Sequence, residues 1–103
     1  MSLTIEDNNK TITLKVNEKR TISLKGNPTT GYSWIAIESV KLENTIEYVQ
    51  DTPAQEGMVG VGGFFNIEIT AKEVGMGKLV VVYRRPWAPK ETDQTFTLNV
   101  DIQ

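Results

Sequence analysis

Apolar and polar residues alternate with a period of two along most of the chain, a pattern that predicts β-strands with one buried face. The alternation runs through residues 11–16, 20–25, 64–72 and 94–102. The apolar members of these segments are expected to face a common core: Ile12, Leu14, Val16, Ile22, Leu24, Phe65, Ile67, Ile69, Ala71, Phe96, Leu98, Val100 and Ile102.

Two further segments, residues 32–37 and 79–83, are apolar on both strand faces. They are predicted to be central strands, or strands whose outer face contacts something else. No segment has the spacing of an amphipathic helix, and the best helical candidate, residues 38–44, is too short to be stable by itself. The chain is therefore predicted to be all-β.

The pattern predicts about seven strands and an extra edge strand at residues 3–6. Short strands separated by regular turn signals favour a sandwich or a barrel. A chain of 103 residues suits one domain over residues 1–103, and without cysteine its core forms without disulfides. The seven strands are expected at residues 11–16, 20–25, 32–38, 45–50, 64–72, 78–84 and 94–102.

Three connections between these strands are expected to share one end of the fold. If consecutive strands run antiparallel, alternate connections fall at opposite ends. Residues 26–31, 51–63 and 85–93 then lie together, and the connection at residues 39–44 lies at the other end. The unusual residues of the chain are concentrated in the first group.

The first of these connections is predicted to be stiff. Pro28 restricts one φ angle, and Asn27 can hydrogen-bond to the nearby backbone. Gly26 and Gly31 permit backbone angles that are closed to other residues. The tip would present two threonine hydroxyls on a rigid turn, although an ordinary turn has the same composition.

The second connection places apolar side chains among glycines. Met58, Val59 and Val61 have no strand face that obviously buries them, and glycines such as Gly60 and Gly62 would let another backbone approach closely. Long connections of this kind are often functional, but a mobile connector would have the same features.

The third connection carries Trp87 between two prolines. Pro86 and Pro89 stiffen the backbone, which makes Trp87 hard to bury in the core. A rigid, exposed tryptophan often anchors an interface, whereas a tryptophan that folds back would cap the end of the sandwich. Trp34 differs, since it lies within a predicted strand and is expected in the core.

Composition argues against several functions. The net charge is −2, which makes nucleic acid and anionic membranes poor partners. The chain has no histidine and no cysteine, so the common nucleophile–base pairs and the thiol or imidazole metal sites are missing. We therefore expect a binding protein, not an enzyme, with no cofactor and no metal. An adhesion or carbohydrate-binding module is one kind of binding protein that fits, because an exposed Trp87 could stack on a sugar.

The first ten residues lack the basic and apolar regions of a signal peptide. No apolar run approaches the ~20 residues that span a bilayer. The protein is therefore expected in the cytoplasm, which leaves a lysosomal or released form open, and it is expected to be a monomer.

The three connections carry motifs that resemble those of the chagasin family of cysteine-peptidase inhibitors, which is found in protozoa and bacteria. Each motif by itself is only moderately specific. Three motifs in the family's order, spread over nearly the whole chain, are strongly specific. They are Asn27-Pro28-Thr29-Thr30-Gly31-Tyr32, Gly60-Val61-Gly62-Gly63 and Arg85-Pro86-Trp87.

The resemblance implies an immunoglobulin-like β-sandwich of about seven to eight antiparallel strands that blocks papain-like peptidases reversibly, tightly and without covalent chemistry. The loop at residues 26–32 would enter the catalytic cleft, with its threonines over the cysteine nucleophile. The loop at residues 57–64 would lie along the non-primed side. In the loop at residues 84–89, Trp87 would pack on the primed side, and Arg85 would support the loop or reach the enzyme. The residues implied to bind the peptidase are Asn27, Pro28, Thr29, Thr30, Gly31, Tyr32, Met58, Val59, Gly60, Val61, Gly62, Gly63, Arg85, Pro86 and Trp87.

Overall fold

The computed structural model describes residues 3–26, 31–50, 63–85, 87 and 94–103. Within them the chain forms seven β-strands and a short 3₁₀-helix at Ile5–Asp7. No helix in these residues is long and apolar enough to cross a membrane. The strands are β1 (Thr11–Leu14), β2 (Lys19–Gly26), β3 (Ser33–Val40), β4 (Leu42–Gln50), β5 (Gly63–Ala71), β6 (Gly75–Arg84) and β7 (Gln94–Ile102).

The strands form two sheets, in the orders β1-β7-β6-β3 and β2-β5-β4. The paired strands run antiparallel apart from β1 and β7, which run parallel. The inner faces of the two sheets contact each other through one cluster of buried apolar side chains. This arrangement confirms the all-β, immunoglobulin-like sandwich expected from the sequence.

Most residues predicted to face the core are buried, because a strand turns every second side chain to the same face. Ile12 is half-buried against the cluster. Val16 is 38% exposed because β1 ends at Leu14 and leaves Val16 outside the sheet, so its predicted core position is wrong. Four further members of the buried cluster come from the other strands: Trp34, Leu42, Leu79 and Val81.

The extra edge strand predicted at residues 3–6 does not form. Leu3 makes a single parallel bridge to Ile22 of β2. The chain then enters the 3₁₀-helix because Thr4 and Asp7 form a capping box. The Thr4 side chain accepts a hydrogen bond from the backbone N–H of Glu6, and the Asp7 side chain accepts one from the backbone N–H of Thr4.

Residues 38–44, the best helical candidate of the sequence, form the end of β3 and the start of β4 instead of a helix. Lys41 alone connects these strands, and its φ of 60° gives the sharp turn. As a result β4 begins at Leu42, earlier than predicted. The central position predicted for residues 79–83 is confirmed, since β6 lies between β7 and β3. For residues 32–37 the first of the two alternatives, a central strand, is excluded because β3 is an edge strand; the second, an outer face that contacts something else, stays a prediction.

Candidate functional site

The pairing of strand ends brings three connections to one end of the sandwich. Gly63, which begins β5, pairs with both Gly26 at the end of β2 and Gln50 at the end of β4. In the other sheet, Arg84 at the end of β6 pairs with Ser33 at the start of β3, and β7 begins beside the same end of β6. We call the end marked by these residues the loop end. It is the end at which the sequence predicted the three unusual connections to meet.

Five of the predicted site residues are in the described part of the chain. They belong to all three motifs, and all of them lie at the loop end: Gly31, Tyr32, Gly63, Arg85 and Trp87. The structure therefore describes the base of the predicted site and its tryptophan. The other predicted site residues lie outside the described residues: Asn27, Pro28, Thr29, Thr30, Met58, Val59, Gly60, Val61, Gly62 and Pro86.

Trp87 is 72% exposed at the loop end. Its indole lies against Gly31, where a Cβ atom would be 2.8 Å from Cη2 and 3.0 Å from Cζ2 of the ring. Gly31 also has a φ of +86°, which glycine adopts without steric strain. Gly31 thus permits both the backbone turn and the close approach of the indole. Because most of the Trp87 side chain is exposed, it does not cap the core.

Tyr32, Tyr83 and Trp34 form a column of aromatic rings, which we call the aromatic column. The ring centroids of Tyr32 and Tyr83 are 5.2 Å apart with 30° between the ring planes, and those of Tyr83 and Trp34 are 5.2 Å apart with 36° between the planes. The guanidinium carbon of Arg85 lies 5.0 Å from the Tyr32 centroid, a cation–π contact. The column therefore links the first and third connections to the core.

Trp34 is only 3% exposed, which confirms its predicted place in the core. Its indole Nε1 donates a hydrogen bond of 3.0 Å to the carbonyl oxygen of Lys25 in the opposite sheet. The indole N–H is thus satisfied although the ring is buried, as a buried tryptophan requires.

Sequence reasoning missed the part that Tyr83 has in this site. Its alternation with Leu79 and Val81 marks Tyr83 as an inward residue of β6, and that pattern carries no sign of a contact with Tyr32. The contact arises because β3 and β6 are neighbours in the sheet.

The described residues at the loop end offer apolar and cationic contacts. Lys25, Arg84 and Arg85 are the cations on or beside its strands. Among residues 3–26, 31–50, 63–85, 87 and 94–103, no three or more side chains of the metal-binding types come together. The arrangement suits the recognition of another molecule by a preformed surface.

A β-sandwich that holds an exposed tryptophan and the roots of three connections at one end has the features of a binding module. Comparison with known sequences makes this class specific. The chain belongs to the chagasin family of peptidase inhibitors, because the family model described as "Chagasin family peptidase inhibitor I42" matches residues 13–100.

Individual relatives agree with this assignment. Amoebiasin-1 of Entamoeba histolytica is 53% identical over 103 residues, an alignment that covers 100% of both chains. The solution structure of amebosin has a TM-score of 0.88 at 54% identity and covers 100% of this chain and 97% of the other. The crystal structure of the cysteine protease inhibitor EhICP2 from Entamoeba histolytica has a TM-score of 0.78 at 28% identity, with coverages of 98% and 93%.

Proposed function

We propose that the protein is a reversible, tight-binding, non-covalent inhibitor of papain-family cysteine peptidases, which closes their active-site cleft with the loops at residues 26–32, 57–64 and 84–89. The observation that carries this proposal is the exposed Trp87, seated on Gly31 at the end of the sandwich where the strands that flank all three loops terminate. The family is described as one of peptidase inhibitors, and one similar structure is described as a cysteine protease inhibitor.

In the proposed complex the first loop enters the groove of the peptidase and covers its cysteine with Thr29 and Thr30. The backbone of residues 58–63 binds along the non-primed rim, and Trp87 packs on the primed side. A peptidase cleaves a bound segment only if the carbonyl carbon reaches attack geometry and its oxygen enters the oxyanion hole. A stiff loop that is held outside this geometry binds and stays intact.

Contacts between the loops support the stiffness that this mechanism needs. Arg85 lies over Tyr32, and Trp87 lies over Gly31, so the third loop rests on the first. Because these contacts exist before the peptidase binds, less conformational entropy is lost on association. Tight binding is then compatible with an ordinary interface of ~800 Å² per partner.

Titration of the purified protein against papain of known active-site concentration tests the proposal, with hydrolysis of a small fluorogenic substrate as the readout. We expect stoichiometric, reversible inhibition and an intact inhibitor chain after long incubation. Cleavage between Asn27 and Tyr32 with fading inhibition would contradict the mechanism. A folded protein that inhibits neither papain nor cathepsin-like enzymes would contradict the function, and binding to a glycan array would then favour the carbohydrate-binding alternative.

A further inference from the structure

Tyr83 of β6 reaches the roots of two loops. Its ring stacks on Tyr32, which follows the tip of the first loop. A Cβ atom at Gly26, which precedes that tip, would lie 3.1 Å from Cε1 of Tyr83. Tyr83 is also paired across the sheet with Gln94, where β7 begins after the third loop, and Arg85 follows it by two residues. The side chain of Tyr83 therefore lies next to both ends of the first loop, and its backbone lies beside both ends of the third loop.

A second aromatic pair lies at the root of the remaining loop. The rings of Tyr48 in β4 and Phe65 in β5 are 5.2 Å apart, with 57° between their planes. A Cβ atom at Gly26 would lie 2.5 Å from Cε1 of Phe65 and 3.1 Å from Cε1 of Tyr83. The bare backbone of Gly26 thus lets aromatic rings from both sheets approach the same point.

Trp87 and Arg85 both rest on the residues that Tyr83 supports. The Arg85 guanidinium lies over the ring of Tyr32, and the Trp87 indole lies against the neighbouring Gly31. Tyr32 is in turn stacked on Tyr83. Removal of the Tyr83 ring would therefore take away the ring contact that supports Tyr32, and with it a support of the segment on which Trp87 and Arg85 rest.

We propose that Tyr83 is a positioning residue, which sets the geometry of the first and third loops through Tyr32 without itself contacting the peptidase. The inference rests on the proposed function, because it assigns those loops to peptidase binding. Aromatic rings have few rotatable bonds, so a stack of them restrains neighbouring groups at a small cost in side-chain entropy. If the loops hold the binding arrangement for only part of the time, the affinity falls by that fraction.

The first test needs no peptidase. ¹⁵N relaxation of the Trp87 indole N–H is measured in the wild type, in Tyr83→Leu and in Phe96→Leu, a matched control that removes a fully buried ring from the core. We expect the order parameter of the Trp87 indole to fall in Tyr83→Leu and to stay at the wild-type value in Phe96→Leu. An unchanged order parameter in Tyr83→Leu, or an equal fall in the control, would overturn the proposal.

If Tyr83→Leu does not fold, Tyr32→Leu removes the same ring contact from the loop side. The expected fall in the order parameter of the Trp87 indole is the same. A Trp87 indole that stays fully ordered in a folded Tyr32→Leu variant would show that the aromatic column does not hold it.

Inhibition of papain is the second test. We expect Ki to rise about tenfold in Tyr83→Leu and to change less than about twofold in Tyr83→Phe, since the ring is kept. Trp87→Ala should weaken binding less in the Tyr83→Leu background than in the wild type, because the tryptophan is then no longer held in place. A merely structural role would give additive effects, and an equal loss in Tyr83→Phe would assign the effect to the hydroxyl and overturn the proposal.

The two tests also separate this inference from the proposed function. If the wild type does not inhibit, the function fails, and the order parameter of Trp87 still decides whether Tyr83 positions the loops. If the wild type inhibits and the Tyr83 variants inhibit equally well, the positioning role alone fails.

Discussion

At the residue scale, the two tryptophans have opposite surroundings. Trp34 is 3% exposed and bonds to Lys25 across the sandwich, whereas Trp87 is 72% exposed and rests on Gly31. Removal of the first leaves a cavity in the core, and removal of the second takes away an exposed contact surface. Stability and inhibition should therefore respond separately to the two changes.

Trp87→Ala should weaken peptidase binding by about 1–3 kcal/mol, the range for an anchor residue in an interface. Its effect on the melting temperature should be small, because most of the side chain is already in water in the free protein. Ki values and thermal melts of the two proteins measure both quantities. A large fall in melting temperature would show instead that Trp87 belongs to the core.

Trp34→Ala should lower the free energy of unfolding by about 3–5 kcal/mol, the cost of truncating a buried aromatic side chain. The variant also loses the hydrogen bond to the carbonyl oxygen of Lys25. Urea unfolding followed by circular dichroism measures the loss. If stability were retained while inhibition was lost, Trp34 would have to be reassigned to the binding site.

Gly31→Ala should weaken inhibition by displacing Trp87, because the added methyl group would lie 2.8 Å from the indole. The positive φ of this residue adds a backbone cost of ~1–2 kcal/mol for an L-residue. Gly75→Ala is the matched control: its φ is +132°, its near neighbour is the flexible side chain of Lys41, and it lies at the opposite end. The control should lose stability and keep its Ki, and an equal rise in Ki would contradict a local effect at Trp87.

At the scale of elements, the N-terminal segment connects the two sheets. The backbone of Leu3 donates to Thr21 and accepts from Ser23, at 3.0 and 2.8 Å, so it extends the sheet that contains β2. After the 3₁₀-helix the chain continues as β1, which pairs with β7 in the other sheet. The 3₁₀-helix is thus the crossing point, and its capping box replaces backbone bonds that a continued strand would have made.

Asp7 of the capping box is expected to make a contribution to stability that depends on pH. The backbone N–H of Thr4 donates to Asp7 Oδ2 at 2.9 Å and is the main cause that lowers the pKa of Asp7, with Lys10 Nζ at 3.3 Å a smaller one. A carboxyl whose pKa is lowered by folding stabilises the protein above its unfolded pKa of ~3.9. That stabilisation is lost as the pH falls through the folded value.

Urea unfolding of the wild type and Asp7→Asn at neutral pH and at acidic pH tests this contribution. The wild type should be the more stable protein at neutral pH, and the difference should shrink below pH ~4. Lys10→Ala is the control that should keep most of the difference, since the backbone bond from Thr4 is the larger cause. A difference that is independent of pH would contradict the role of the ionised carboxylate.

At the scale of the whole molecule, stability and recognition lie in different places. The cluster of apolar side chains between the sheets holds the sandwich together. Several ion pairs lie at the surface, where such pairs contribute little: Lys19–Glu68, Lys41–Glu73, Lys72–Glu43 and Lys78–Glu38. Trp34 belongs to this cluster and contacts Tyr83, so the aromatic column connects the core to the loop end. The cytoplasmic location expected from the sequence stays a prediction.

The inhibitor has no histidine, so its charge should change little between about pH 5.5 and 7.5. We therefore expect the inhibitor itself to add little pH dependence to inhibition in this range. Ki measured across this range should change less than about twofold after correction for the titration of the peptidase itself. A larger change that persists with two different peptidases would show that a group on the inhibitor titrates in the complex.

The amino-acid sequence by itself determined the strands and the composition of the loops. Period-two alternation identified the buried face of β2, β5 and β7, because the geometry of a single strand alternates its side chains whatever it pairs with. Proline likewise restricts the backbone, and glycine frees it, only within a few residues of its own position. Those local rules, together with the assumption that consecutive strands run antiparallel, predicted that the three connections share one end of an all-β fold.

The contacts between distant residues were decided only by the tertiary structure. The exposure of Val16, the edge position of β3 and the single-residue turn at Lys41 follow from which strands pair and where each pairing stops. The stacking of Tyr32 on Tyr83 depends on β3 and β6 being neighbours in the sheet. The position of the Trp87 indole depends on Gly31, which is far away in the chain. No local pattern encodes such contacts, because each forms between two segments that are far apart along the chain and meet only in the folded protein.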